Sequence, residues 1–192
     1  MSAVKRKSEE FSNGMDVSPH IRSILKFKKS GSVLDMGSGN GRHSLFFAKK
    51  GFKVTALDND KILLSDIKKT AKEKDLTITT KYCDIKKYQP SRNFDVIIAS
   101  MSLHFLEKPQ VIKAIQMMKN HTKIGGINYI SNFTDKHPIG TRPYLMKKNE
   151  LKSYYDDWSV LTYEEKMGPW FYSKKQGKNV RKHRAMILAK KI

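Results

Sequence analysis

Val33-Leu34-Asp35-Met36-Gly37-Ser38-Gly39-Asn40-Gly41-Arg42 is the stretch that decides the fold. A short apolar strand runs into three alternating glycines. His43 to Lys50 then continues as a helix with Leu45, Phe46 and Phe47 inward and Gly51 as its stop. Glycines at such a turn let the backbone approach a ligand closely, and the helix N-terminus offers unpaired N–H groups. The turn departs from a dinucleotide fingerprint. That pattern places a third glycine or alanine where Arg42 stands, and Asp35 would put a carboxylate beside a pyrophosphate.

Working outward, strand and helix alternate. Lys53 to Leu57 is a second strand, Ile62 to Lys74 a helix with Ile62, Leu63, Ile67 and Ala71 inward, Leu76 to Tyr82 a third strand and Phe94 to Ala99 a fourth. Gln110 to Asn120 is a helix with Val111, Ala114, Ile115 and Met118 on one side, and Gly125-Gly126 opens a fifth strand, Ile127 to Phe133. Such alternation requires a mostly parallel sheet covered by helices. Upstream, Ser18-Pro19 starts a short helix with Ile21, Ile24, Leu25 and Phe27 as its apolar face. Downstream the rhythm changes: Lys148 to Tyr155 is a helix, and two strands, Ser159 to Lys166 and Ala185 to Lys190, follow with no helix between them. They form an antiparallel pair at one sheet edge.

The 192 residues suit one domain, 18–192, behind a loose, flexible basic arm, 1–17. Lysine and arginine exceed the acids by 20, while 39% hydrophobic residues provide a core. The charges are spread along the whole chain, which makes them a general surface property and leaves nucleic acid as a nonspecific partner. A single cysteine, Cys83, excludes an internal disulfide, and the histidines show no metal-ligand spacing. No apolar run is long enough to span a membrane, so the chain is expected to be soluble and cytoplasmic, as monomer or homodimer.

A cofactor without phosphate and with a cationic end suits the glycine turn. S-adenosylmethionine carries an ammonium and a sulfonium, for which Asp35 is an attraction. Asp58 closes the next strand, where a carboxylate can accept both ribose hydroxyls. Asp35, Gly37, Ser38, Gly39, Asn40, Arg42, Asp58 and Asn59 are therefore cofactor candidates.

With those elements in place, the chain resembles the class I S-adenosylmethionine-dependent methyltransferases, from about Ser18 onward. The resemblance implies a Rossmann-like α/β fold with seven strands, helices on both faces and an antiparallel C-terminal pair at the edge. It implies that Asp84, after strand three, meets the adenine amino group, with Cys83 and Ile85 beside the ring. The exit of strand four, Met101-Ser102-Leu103-His104-Phe105-Leu106, matches the segment that runs under the methionine part, with Ser100, Met101 and Leu103 as cofactor candidates. Within the class, Gly39-Asn40-Gly41-Arg42-His43-Ser44-Leu45, Phe105-Leu106-Glu107 and Ala185-Met186-Ile187-Leu188-Ala189-Lys190 are similar to the TehB-type tellurite-resistance methyltransferases. Ser38 stands where that group usually has cysteine, and Phe171-Tyr172 where it carries a His-Arg pair.

Methyl transfer chiefly needs a nucleophile held close and in line with water excluded. His104 is the candidate base, with a packing histidine as the alternative. In Arg142-Pro143-Tyr144-Leu145, Arg142 would hold an anionic acceptor while Tyr144 forms an aromatic wall. Two readings remain at this point: methyl transfer to a small anionic or chalcogen acceptor, or an RNA-directed methyltransferase or basic RNA-binding protein on the same fold.

Overall fold

The computed structural model describes residues 17–137, 142–173 and 177–192. Seven strands form one sheet in the order β3-β2-β1-β4-β5-β7-β6. They are β1 Ser32–Met36, β2 Lys53–Asp58, β3 Ile78–Tyr82, β4 Phe94–Ser100, β5 Thr122–Phe133, β6 Ser159–Ser173 and β7 Lys178–Lys190. The first five are mutually parallel, and β7 pairs antiparallel with both β5 and β6. The helices are α1 Pro19–Ser23, α2 Arg42–Lys49, α3 Lys61–Glu73, α4 Lys108–Asn120 and α5 Glu150–Ser153.

Both faces of β1, β2 and β4 are buried, which explains their apolar runs, whereas the edge strand β3 is largely exposed. In β1, Leu34 and Met36 join a core with Val111, Ile115 and Met118 of α4, while Val33 joins one with Phe47 of α2 and with Ile21 and Ile24. The alternation is the two-residue period of a strand. Val17, placed with the arm from sequence, is buried in this second core; residues 1–16 of the expected arm lie outside the described residues.

Local chemistry fixes the element starts. The Ser18 hydroxyl accepts from the Ile21 amide at 3.3 Å and Pro19 occupies the first turn of α1. Phe27, expected on the apolar face, is exposed, because a 3-10 turn over Ile24–Lys26 ends the helix there. In α3 the Asp60 carboxylate caps the amides of Ile62 and Leu63, and the buried stripe is Leu64, Ile67 and Ala71. Ile62, expected inward, lies in the exposed first turn and Leu63 is half-buried. The four expected α4 residues are all buried.

The C-terminal half differs most from expectation. Gly125 and Gly126 lie inside β5 rather than before it, and the helix at 148–155 shortens to α5. β6 and β7 are far longer than the apolar segments suggested, and they continue as a two-stranded ribbon beyond Phe133, the last β5 residue paired with β7.

Candidate active site

The chain builds β1, β2 and β3 in one direction and then crosses back to place β4 beside β1. Loops leaving these two strands diverge at their carboxyl ends, the usual ligand position in an open parallel sheet. A cavity of about 510 Å³ opens there, within the range typical of small-molecule sites.

Residues from four strand exits converge on it. After β1 come Gly37, Ser38, Gly39, Asn40 and Arg42; after β2, Asp58 and Asn59. Cys83, Asp84 and Ile85 follow β3, and Ser100 and Met101 end β4. Thus twelve of the fourteen cofactor candidates share one cavity. The other two lie behind it: Leu103 is fully buried in the core, and Asp35 is buried beneath the glycine turn.

The turn needs its first glycine. Gly37 has φ +70°, and a Cβ there would stand 2.5 Å from the Ser102 Cβ. Its amide and that of Ser38 both donate to the Leu57 carbonyl, tying the turn to β2. Asp58 completes the tie, accepting from the Gly39 amide at 2.7 Å through one oxygen and from the Asp60 amide at 3.0 Å through the other. A carboxylate has about four lone-pair positions, so both oxygens retain acceptor capacity toward the cavity.

Asp35 acts from below. The Ser44 hydroxyl donates to it at 2.7 Å, yet burial dominates and pushes its carboxyl up to about 6. Asp84 accepts from the Lys86 amide at 2.9 Å, so it caps a 3-10 turn while also lining the cavity.

Four lining residues were not singled out as cofactor contacts: His43, and Ser102, Phe105 and Leu106 of the segment expected under the methionine part. The sequence signals for them were their positions just after the glycines and just after β4. The hydroxyls of Ser38 and Ser102 are buried without a hydrogen-bond partner, an arrangement that leaves two polar groups for a ligand. Met101 adopts φ +55°, a conformation costly for a side chain with Cβ, and its amide donates to the Ser131 carbonyl.

The acceptor-side candidates are placed differently from one another. His104 is buried behind Phe105, 4.1 Å from it by ring centroids and 4.6 Å from Phe133. Its Nδ1 has no partner, and burial, aided by the nearby Arg142 charge, lowers its pKa to about 4. Arg142 is exposed, with its guanidinium 5.1 Å from the Phe105 ring centre. His137 stacks on Phe133 at 3.9 Å, and Lys182 of β7 lies 5.7 Å from the same ring. Tyr144 is not brought to the cavity lining. Its hydroxyl donates to Glu150, which also accepts from the Tyr154 hydroxyl and from the Lys147 amide. Among the described residues, no group of three or more His, Cys, Asp or Glu could hold a metal ion, and no helix is long and apolar enough to cross a membrane.

The family described as "Tellurite resistance protein TehB" matches residues 6–188. The chain belongs to the TehB family. A probable S-adenosyl-L-methionine-dependent methyltransferase TehB from Haemophilus influenzae Rd is 34% identical over 162 residues, 83% of this chain and 57% of that protein. The chain therefore spans little more than half the length of this TehB relative. The crystal structure of TehB from Haemophilus influenzae superposes with a TM-score of 0.86 at 30% identity, covering 96% of this chain and 65% of that one. A 1,6-didemethyltoxoflavin-N1-methyltransferase from Burkholderia thailandensis, solved with 1,6-didemethyltoxoflavin and S-adenosylhomocysteine, shares the fold alone: TM-score 0.70, 17% identity, 97% and 83% coverage. The TehB fold here is thus the class I S-adenosylmethionine-dependent methyltransferase fold.

Proposed function

We propose that the chain transfers a methyl group from S-adenosylmethionine to a small anionic or chalcogen acceptor. The observation that carries this reading is the convergence of the glycine turn, Asp58, Asp84 and the β4 exit on one cavity, with two unpartnered buried hydroxyls. A glycine cradle, two acids and free hydroxyls fit a ligand with a cationic end, a ribose and an adenine. They do not fit a phosphate-bearing one, which the buried Asp35 would repel.

When bound, S-adenosylmethionine supplies an electrophilic methyl carbon on a sulfonium. The chain's own residues bind and orient. Asp58 accepts from ribose hydroxyls, Asp84 with Cys83 and Ile85 receives the adenine, and Asp35 contributes negative charge beneath the turn. Phe105 and Leu106 exclude water from the side where the acceptor enters. Arg142 draws an anionic nucleophile toward Phe105. His104 is uncharged near neutral pH, but with its pKa lowered to about 4 and its ring behind Phe105, off the cavity lining, it is only a weak base, which suits an acceptor that arrives already deprotonated. Tyr144 contributes indirectly, since its bond to Glu150 fastens the segment bearing Arg142.

Calorimetry should give S-adenosylmethionine and its demethylated product a Kd in the low micromolar range or tighter, about 7–8 kcal/mol, with no competition from NAD. A methyl-release assay on chalcogen oxyanions and thiols then identifies the acceptor. With it, Arg142→Ala should lower kcat/KM by about tenfold or more at unchanged cofactor affinity. Equal activity of variant and parent on every acceptor found would return Arg142 to the surface.

A further inference from the structure

Among the described residues four aromatic side chains are exposed: Phe27, Tyr82, Phe105 and Trp170. Three of them stand along the carboxyl edge of the sheet. Tyr82 is the last residue of β3, Phe105 follows the exit of β4, and Trp170 lies on the β6–β7 ribbon beyond the end of β5. Their exposures are 58%, 62% and 68%. Each carries a cation above its ring: Lys61 at 4.8 Å from Tyr82, Arg142 at 5.1 Å from Phe105 and Arg181 at 5.6 Å from Trp170.

Tyr82 immediately precedes the lining residue Cys83 and Phe105 itself lines the cavity, whereas Trp170 stands farther out on the ribbon, four residues past Lys166, the β6 residue level with the end of β5. The ribbon adds charge: residues 166–184 contain seven lysines and arginines and no acid, and Lys166, Lys178 and Lys182 are exposed. A long cationic side chain lying on a ring is by itself an ordinary way to cover apolar surface. Three of the four exposed aromatic rings standing on one edge, each with a cation beside it and one of them on an acid-free basic ribbon, are not accounted for by that.

We propose that this edge, from Tyr82 past Phe105 to Trp170, is a docking track for single-stranded RNA. Unpaired bases stack on the open ring faces while Lys61, Arg142 and the exposed lysines of the ribbon take the phosphates, a combination tolerant of sequence; Arg181 is engaged by the Gly168 and Met167 carbonyls and serves to hold the Trp170 segment. A duplex keeps its base faces covered and cannot use the rings. The track shares Phe105 and Arg142 with the acceptor side proposed above, but its test at Tyr82 and Trp170 does not rest on the cofactor or acceptor reading.

The test uses the full chain and a labelled oligoadenylate of about 18 nucleotides, followed by fluorescence anisotropy at about 50 and 200 mM salt. Tyr82→Ala and Trp170→Ala should each weaken binding by about fivefold to a hundredfold, whereas Tyr82→Phe and Trp170→Phe, which keep a ring, should bind within about twofold of the parent. The salt dependence should be the same in all of them, because the phosphate contacts remain. Trp170 fluorescence should be quenched on binding. Trp158 is buried, so the Trp170→Phe variant provides the baseline. Unchanged affinity in both alanine variants, loss in only one, equal affinity for duplex RNA of the same length, or no binding by the parent at the lower salt would each overturn the track. Melting curves on all four variants confirm that the folded protein is being compared.

Discussion

Asp35 is a carboxylate that the fold holds at a cost. Its carboxyl is pushed up to about 6 from 3.8 by burial, against the opposing bond from Ser44. Between those two values the folded state holds a proton that the unfolded chain has released. Stability therefore falls as pH rises through that window, by on the order of 3 kcal/mol. Asp35→Asn removes the titration while keeping the shape. It should melt above the parent at about pH 7.5 and lose that advantage near pH 4, while S-adenosylmethionine binds less tightly for want of the negative charge. An equal melting difference at both pH values would show that Asp35 is not held as a buried acid. Asp58 is the contrasting residue, because its carboxylate already organises the turn through Gly39 and Asp60. Asp58→Ala should weaken cofactor and product at least tenfold by calorimetry, since bonds to a charged group contribute about 1.5–3 kcal/mol each. Unchanged affinity would remove Asp58 from the site.

At the scale of elements, the β1–α2 turn is the unit least tolerant of change. Gly37→Ala would combine a left-handed conformation with a 2.5 Å approach to the Ser102 Cβ. The stability loss should exceed about 2 kcal/mol in denaturant titration and cofactor binding should be lost with it. Gly51→Ala is the matched control, with φ +82° and nothing within 4 Å of the added carbon. It should cost about 1 kcal/mol and leave the cofactor alone. The contrast shows why this part was legible in the sequence. Turn, helix start and following acid are contiguous or one strand apart, so residue order specifies their geometry. Phe105, Phe133, His137 and Lys182 come from separated segments, and their meeting depends on the strand order. Ile62 and Phe27 were misplaced because an apolar pattern does not show where a cap or a 3-10 turn ends the helix face. The length of β6 was hidden by Gly168 and Pro169, which interrupt the alternation that marks a strand.

For the whole molecule, charge and topology set the behaviour. The chain carries an excess of 20 positive charges, while most ion pairs among the described residues are partly exposed and contribute little. Screening therefore relieves more repulsion than it removes attraction. The melting temperature of the protein alone should rise between about 20 and 300 mM salt, and a fall would mean that the visible pairs matter more than the net charge. Topology imposes a second constraint. Among the described residues β6 has no ladder with β5 and pairs into the sheet only through β7. Protection of β6 amides against hydrogen exchange thus cannot outlast that of β7: whatever detaches the inner strand sets the outer one loose with it. Ile187 pairs with Ile130 on one side and Tyr163 on the other, so a proline at that single position should unzip two ladders at once and leave five parallel strands with an open, sticky margin.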